Sequence, residues 1–462
     1  MPTPQQRFFR ILLSVIFLAA FLRIVGYAIR FAADNLQMDF SAFYTAGESG
    51  NHGLSPYLNY LNAPSHIWDG VNLENHSRFL YPPLAANFFQ LIAFLPFPIA
   101  KGLWTGIVLL CLAASLFISL RVLKQPLDAI SLLILGIFVC LFYPLFLLLE
   151  RGQVDTLTLL LWIGGIAWIV QRKRTFWAGI LFALAALFKL HCIYILPFLV
   201  LRRQWKAIGG LAAGGVGLVL LSTLLNGPAS TLDYIQKEIP ALSNYQPAPT
   251  AETDPFRQIA LEVIKGLPPG YTLKDGYRFR VFWLVFEQNA TLLRTRISSP
   301  IISIYTKLVG RTPNDSVLSL IYFGFAFGLF AVWEASRHFR SQEADAYTEF
   351  IYWQIPLAII LLCAPLTWAM NAVWLLPAAI IFLAEIAHSG SSGTQAEASL
   401  WILSLCAGTL GLILAAIPDV QGFRFLVPYG GQLFRHKYVL GELMVLGGLF
   451  GLLAFHRSCV RK

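Results

Sequence analysis

Met38-Asp39-Phe40-Ser41-Ala42-Phe43-Tyr44-Thr45-Ala46-Gly47-Glu48 follows closely on the apolar run Ile11–Ile29, and the two together point to the class of fold. A run of about 20 apolar residues spans the hydrocarbon core of a bilayer, so Ile11–Ile29 reads as a membrane helix. Asp39 then falls where that helix hands over to a polar, aromatic-rich loop. A carboxylate at this boundary stands where a lipid-borne and a water-borne substrate can meet, which makes Asp39 a candidate for chemistry. The competing reading is a helix cap. Asp accepts from the free N–H groups of a first turn, and a short helix Phe40–Glu48 ending near Gly50 would use one.

Composition supports the membrane reading. The chain of 462 residues is 57% hydrophobic, 14% aromatic and only 13% charged, with a mean hydropathy of +0.65. These values exclude an ordinary soluble domain and predict an all-α polytopic membrane protein, one integral domain over 1–462. The net charge of +10 sits largely in short Lys/Arg clusters between apolar runs, where topology explains it, so nucleic acid is not an expected partner. The six cysteines are scattered without metal-like spacing, so neither a disulfide framework nor a zinc site is expected. Arg7 and Arg10 before a long apolar run without a small-residue cleavage site predict a retained first helix.

Apolar runs long enough to cross lie at roughly 11–30, 99–121, 126–148, 153–171, 206–226, 315–336, 347–363, 366–387, 398–417 and 437–456. The basic clusters Arg7/Arg10, Arg121/Lys124, Arg172–Arg174, Arg202–Arg203, Arg337/Arg340 and Arg457/Arg461 share one face only under one parity of crossings. That parity makes Leu84–Leu95 a half-helix and Phe176–Leu201 a hairpin of two short legs with Lys189 and His191 near its tip. About twelve helices then enter the membrane, with both termini cytoplasmic. The loops 34–81, 226–313 and 418–436, and the turn Glu150-Arg151-Gly152-Gln153, all fall on the outer side. Short amphipathic helices near Phe256–Ile264 and Ile297–Val309 are expected to lie on the membrane within the long outer loop.

Ionisable groups at membrane depth are functional candidates. Lys189 can neutralise a phosphate on a lipid headgroup, or snorkel to the surface as an anchor. Gln153 can bond a hydroxyl or phosphate, while Glu150, Arg151 and Asp155 also suit an ordinary charged helix cap. Arg278, Arg280, Arg294 and Arg296 carry guanidinium groups suited to bidentate phosphate contact, or form a solvated loop.

Taken in order, the segments resemble the polyprenol-phosphate-mannose-dependent mannosyltransferases of glycosyltransferase family 87, within the C-type glycosyltransferase architecture. The matching pieces are Asp39–Gly47 with Ser55-Pro56-Tyr57, Phe79-Leu80-Tyr81-Pro82-Pro83-Leu84, Leu95-Pro96 with Leu103-Trp104, and Gly152-Gln153-Val154-Asp155. They continue with Ala178-Gly179 leading to Lys189, Pro197 with Arg202-Arg203-Gln204-Trp205, Asn289-Ala290-Thr291-Leu292 and Pro365-Leu366-Thr367-Trp368. The resemblance implies that Asp39 is the catalytic base. One departure stands out: Ala369-Met370-Asn371 occupies the place where the family carries histidines, and an asparagine takes no proton near neutral pH.

The reading that follows is a membrane glycosyltransferase that uses a polyprenyl-phosphate sugar and needs no cofactor. It transfers mannose or another sugar to a lipid-linked or glycan acceptor hydroxyl at the outer, periplasmic-type face of a bacterial plasma membrane, with inversion. Lys189, Arg278, Arg280 and Arg294 are the donor-phosphate candidates. Tyr44, Tyr81, Gln153, His191, Asn289, Trp368 and Asn371 are the substrate-binding candidates. A flippase or transporter of lipid-linked sugars is the rival reading; internal inverted repeats would favour it, and none is visible.

Overall fold

The computed structural model describes residues 3–33, 38–57, 65–71, 79–124, 127–239, 308–309, 315–338, 345–363, 369–387, 395–417 and 437–459. Among these residues the strands are absent and helices carry the fold. The helices are α1 (Pro4–Ala33), α2 (Met38–Asn51), α3 (Pro83–Ala93), α4 (Phe97–Leu123), α5 (Ala129–Leu141), α6 (Tyr143–Arg151) and α7 (Asp155–Val170). They continue with α8 (Thr175–Phe188), α9 (Leu196–Leu201) after a 3-10 segment Leu190–Ile195, and α10 (Trp205–Asp233). The C-terminal set is α11 (Asp315–His338), α12 (Ala346–Cys363), α13 (Leu376–Ala387) after a 3-10 segment Ala369–Leu375, α14 (Gln395–Ala416) and α15 (Lys437–Cys459).

Among the described residues, eight helices are long and apolar enough to cross a membrane, and the bent pair α5–α6 makes a ninth candidate. The protein is therefore polytopic and all-α. The apolar run at 126–148 is not the straight span its composition predicts. It bends by 48° between α5 and α6 and continues to Arg151. Phe142 is extended (φ −67°, ψ 108°) and Pro144 follows at the start of α6. Proline donates no N–H to the preceding turn, so the helix restarts there. The run at 153–171 is likewise shorter than expected, at 16 residues in α7.

The half-helix and the hairpin are both present. α3 has 11 residues, about 16 Å at 1.5 Å per residue, half the thickness of the hydrocarbon core. α8 has 14 residues, about 21 Å. Its return leg is Leu190–Leu201, in which six residues of 3-10 helix precede six of α-helix. The 3-10 rise of about 2.0 Å per residue lets this shorter leg cover the same distance of about 21 Å.

Glycine contacts fix the direction. A Cβ on Gly210 would lie 1.8 Å from Phe176 O, one on Gly179 would lie 1.9 Å from Ala207 O, and one on Gly214 would lie 2.8 Å from Ala183 Cβ. α10 therefore runs parallel to α8 and starts beside its beginning, so the chain between them must return the whole length of α8. Lys189 sits at the far tip. Gly209 and Gly215 face open space, with nothing within 4 Å. In Gly209-Gly210 and Gly214-Gly215, both on α10, only Gly210 and Gly214 serve close packing.

The basic clusters and the polar turns lie at opposite ends of the bundle. Arg172–Arg174 and Arg202–Arg203 lie at the base of the hairpin, opposite Lys189. Tyr27 and Phe31 at the end of α1 pack on Phe146 at 4.6 and 5.0 Å, which puts Arg7 and Arg10 at the opposite end from α6. Trp104, early in α4, bonds Gly152, which puts Arg121 at that same far end. The described N-terminal basic clusters thus share one end, and α2, α3 and the 151–155 turn share the other.

Candidate active site

The site is built around one sharp turn. α6 ends at Arg151, and Gly152 stops it in left-handed backbone at φ 69°, ψ 39°. A side chain in this left-handed backbone costs about 1–2 kcal/mol, so glycine is favoured there. The N–H groups of Gly152 and Gln153 both donate to Leu148 O, at 2.9 and 3.2 Å, closing the helix end. The buried indole of Trp104 donates to Gly152 O at 2.7 Å and pins the turn to α4. α7 then begins at Asp155.

From this turn, Arg151 and Gln153 reach α2. Arg151 Nε donates to Asp39 Oδ2 at 2.8 Å, and Gln153 Nε2 donates to the same oxygen at 2.9 Å. Tyr81 Oη donates to Gln153 Oε1 at 3.2 Å, which sets which end of the amide faces the carboxylate. Asp39 is 4% exposed and Arg151 8%. Charges this deep persist only when paired and hydrogen-bonded. Asp39 is the second residue of α2, not the residue before it. The helix expected at Phe40–Glu48 is thus longer, and one oxygen of the carboxylate accepts from both Arg151 and Gln153.

Asp155, on the same turn, faces the hairpin tip and is fully buried. Lys189 Nζ lies 3.4 Å from Asp155 Oδ2. Asn371 Nδ2 donates to Asp155 Oδ1, and Trp374 Nε1 donates to the Asp155 carbonyl at 3.2 Å. Lys189 itself is in extended backbone (φ −142°, ψ 94°) between α8 and the 3-10 leg. The break between the legs is what frees its side chain to turn inward.

Tyr81 joins the two ion pairs. Burial pushes its hydroxyl up to about 12; the Lys189 charge opposes this, and Asp39 and Asp155 add to it. The hydroxyl is therefore a proton donor across the working pH range. Arg151, Gln153 and Asp155 share one turn and Tyr81 bonds Gln153, which places the Asp39–Arg151 and Asp155–Lys189 pairs side by side.

The structure brings together Asp39, Tyr81, Gln153, Lys189 and Asn371 from the residues singled out by sequence. His191 is adjacent, its ring 5.5 Å from that of Trp374. Tyr44 is not part of the cluster: its hydroxyl donates to Leu95 O at 3.0 Å, where it ties α2 to the end of α3. Arg278, Arg280, Arg294, Arg296, Asn289 and Trp368, and the amphipathic segments at 256–264 and 297–307, lie outside the described residues. Arg151 and Asp155 read in sequence as a charged cap, and both are central. Their signal was two charges flanking a Gly-Gln turn, which looks the same when solvated.

A comparison with protein-family models matches residues 79–348 to glycosyltransferase family 87. That span is more than half of the 462 residues. The chain belongs to glycosyltransferase family 87. A search of curated proteins returns no match to it. The family 87 span takes in Tyr81, Gln153, Asp155 and Lys189, while Asp39 precedes it and Asn371 follows it. With its apolar helices, this family 87 protein is an integral membrane glycosyltransferase, and a sugar donor, an acceptor and a lipid environment follow from that.

Proposed function

We propose that this glycosyltransferase moves mannose or another hexose or pentose from a polyprenyl phosphate to a hydroxyl on a lipid-linked or glycan acceptor. The carrying observation is the buried carboxylate of Asp39, held by Arg151 and Gln153 beside the Lys189–Asp155 pair. Asp39 takes the proton from the acceptor hydroxyl as general base. The acceptor oxygen bonds the anomeric carbon from the face opposite the phosphate, and the bond from that carbon to the phosphate oxygen breaks with its electron pair leaving on oxygen. Configuration inverts.

Charge is conserved within the site. As Asp39 takes the proton it loses its negative charge, and the leaving phosphate gains one. Arg151 and Lys189 are the cations in place to offset it, and preorganised charge of this kind lowers a barrier without reorganisation. Arg278, Arg280 and Arg294 are proposed to contact the phosphate as well.

The site is proposed to face the outer, non-cytoplasmic side of a bacterial plasma membrane, with a C-type architecture. The N-terminal basic clusters lie at the opposite end of the bundle from Asp39, and such clusters mark the cytoplasmic side. Family membership favours transfer over flipping. The test is turnover by the purified full chain in liposomes with a panel of synthetic prenyl-phosphate sugars. Transfer from at least one is expected. Transfer from nucleotide sugars alone would overturn the donor assignment.

A further inference from the structure

Two features of the Lys189 environment stand apart from the transfer chemistry. The hairpin of about 21 Å is shorter than the hydrocarbon core of about 30 Å, so the Lys189 ammonium is held below the level a full span would reach. Its partner Asp155 is itself locked from three directions. The side chain of Asn371 holds one carboxylate oxygen, Lys189 the other, and the indole of Trp374 the backbone carbonyl. Asn371 and Trp374 both belong to the 3-10 segment before α13, so a distant part of the chain sets where Asp155 points. The same turn that carries Asp155 carries Arg151 and Gln153, which hold Asp39.

We infer that Asp155, fixed by Asn371 and Trp374, is a positioning residue that aims Lys189 at the donor phosphate, and that the 151–155 turn thereby sets the separation of cation and base. This rests on the reading of Lys189 as a phosphate ligand. An ammonium has three N–H donors, so its ion pair with Asp155 at 3.4 Å leaves donors for a phosphate oxygen. A flexible four-carbon stem would otherwise spread that charge over many rotamers.

The sign of one substitution separates this from a passive neighbour. Asp155→Asn removes a negative charge beside an anion site, so electrostatics alone would tighten phosphate binding. If Asp155 aims Lys189, binding weakens instead.

The experiment measures the affinity of the purified full chain for a short-chain prenyl phosphate, the leaving group, in detergent. Lys189→Met and Asp155→Asn are each expected to weaken it by about tenfold, and the double variant to be no weaker than Lys189→Met alone, because both act through one contact. Asn371→Ala keeps the carboxylate and removes one of its bonds; a smaller loss in the same direction is expected even where Asp155→Asn fails to fold. Unchanged affinity in Lys189→Met overturns the phosphate reading and the inference with it. Weaker binding in Lys189→Met with unchanged or tighter binding in Asp155→Asn and Asn371→Ala overturns the positioning role alone.

Discussion

Arg151 Nε lies 2.8 Å from Asp39 Oδ2, across 112 residues of chain, with both side chains buried. Removing one member of a buried pair leaves the other without its counter-charge, at a cost of about 3–5 kcal/mol. Arg151→Met is therefore expected to lower the unfolding midpoint in detergent substantially. Adding Asp39→Asn should recover much of the loss, and additive losses in the double variant would show that the pair is not coupled.

Turnover is the measure that isolates the base. Asp39→Asn keeps the size and a hydrogen-bonding side chain but removes the proton acceptor, so transfer per folded molecule should fall by roughly 10²–10⁴-fold. A role confined to helix α2 predicts near-normal turnover, because Asn serves a helix start about as well as Asp. Rates normalised to folded protein separate these from the stability effect on Arg151.

Close packing of α8 on α10 gives a test with an internal control. A Cβ at Gly179 would lie 1.9 Å from Ala207 O, whereas one at Gly209 or Gly215 meets nothing within 4 Å. Gly179→Ala must push two backbones apart and should destabilise by about 1–3 kcal/mol. Gly209→Ala should be neutral or stabilising by about 0.5–1 kcal/mol, since alanine is the better helix former. Equal thermal shifts in the two variants would contradict the parallel packing.

Sidedness is open to chemical labelling. His52, exposed just past α2, and Lys173, exposed between α7 and α8, are on opposite ends of the bundle. Single cysteines at these positions, in a background without the exposed Cys406, should react with an impermeant thiol reagent on intact cells at 52 and not at 173. The reverse pattern would turn the protein over in the membrane.

Tyr81 gives an alkaline signature. Burial raises its hydroxyl from the ordinary 10.0 to about 12, so the folded state keeps a proton that the unfolded chain releases first. Its contribution to stability is then complete below about pH 10 and lost as pH rises toward 12. Tyr81→Phe should flatten that part of the stability profile, and an unchanged alkaline slope would place Tyr81 in a more solvated setting.

The class of the protein and the order of its spans were legible in the chain alone, because apolar length and the placement of Lys and Arg respond to the bilayer, an environment external to the fold. Parity of the basic clusters was enough to demand a short α3 and a hairpin ending at Lys189. Even the bend at Phe142 had its cause in Pro144, although not its angle. Asp39 was legible as a polar group at a membrane boundary, with its role open between cap and base.

Which charges meet depended on packing between distant segments. Arg151 and Asp155 look alike in sequence, two ionisable residues on one turn, yet one turns to α2 and the other to the hairpin tip. Asn371 gains its place only when the segment before α13 docks on α7. Tyr44 and Tyr81 are both aromatic hydroxyls in the first polar region, and packing sends one to a helix end and the other between two ion pairs. Burial explains the difference: a charge in the interior must find a partner wherever the fold can bring one, and the distance along the chain has no bearing on that choice.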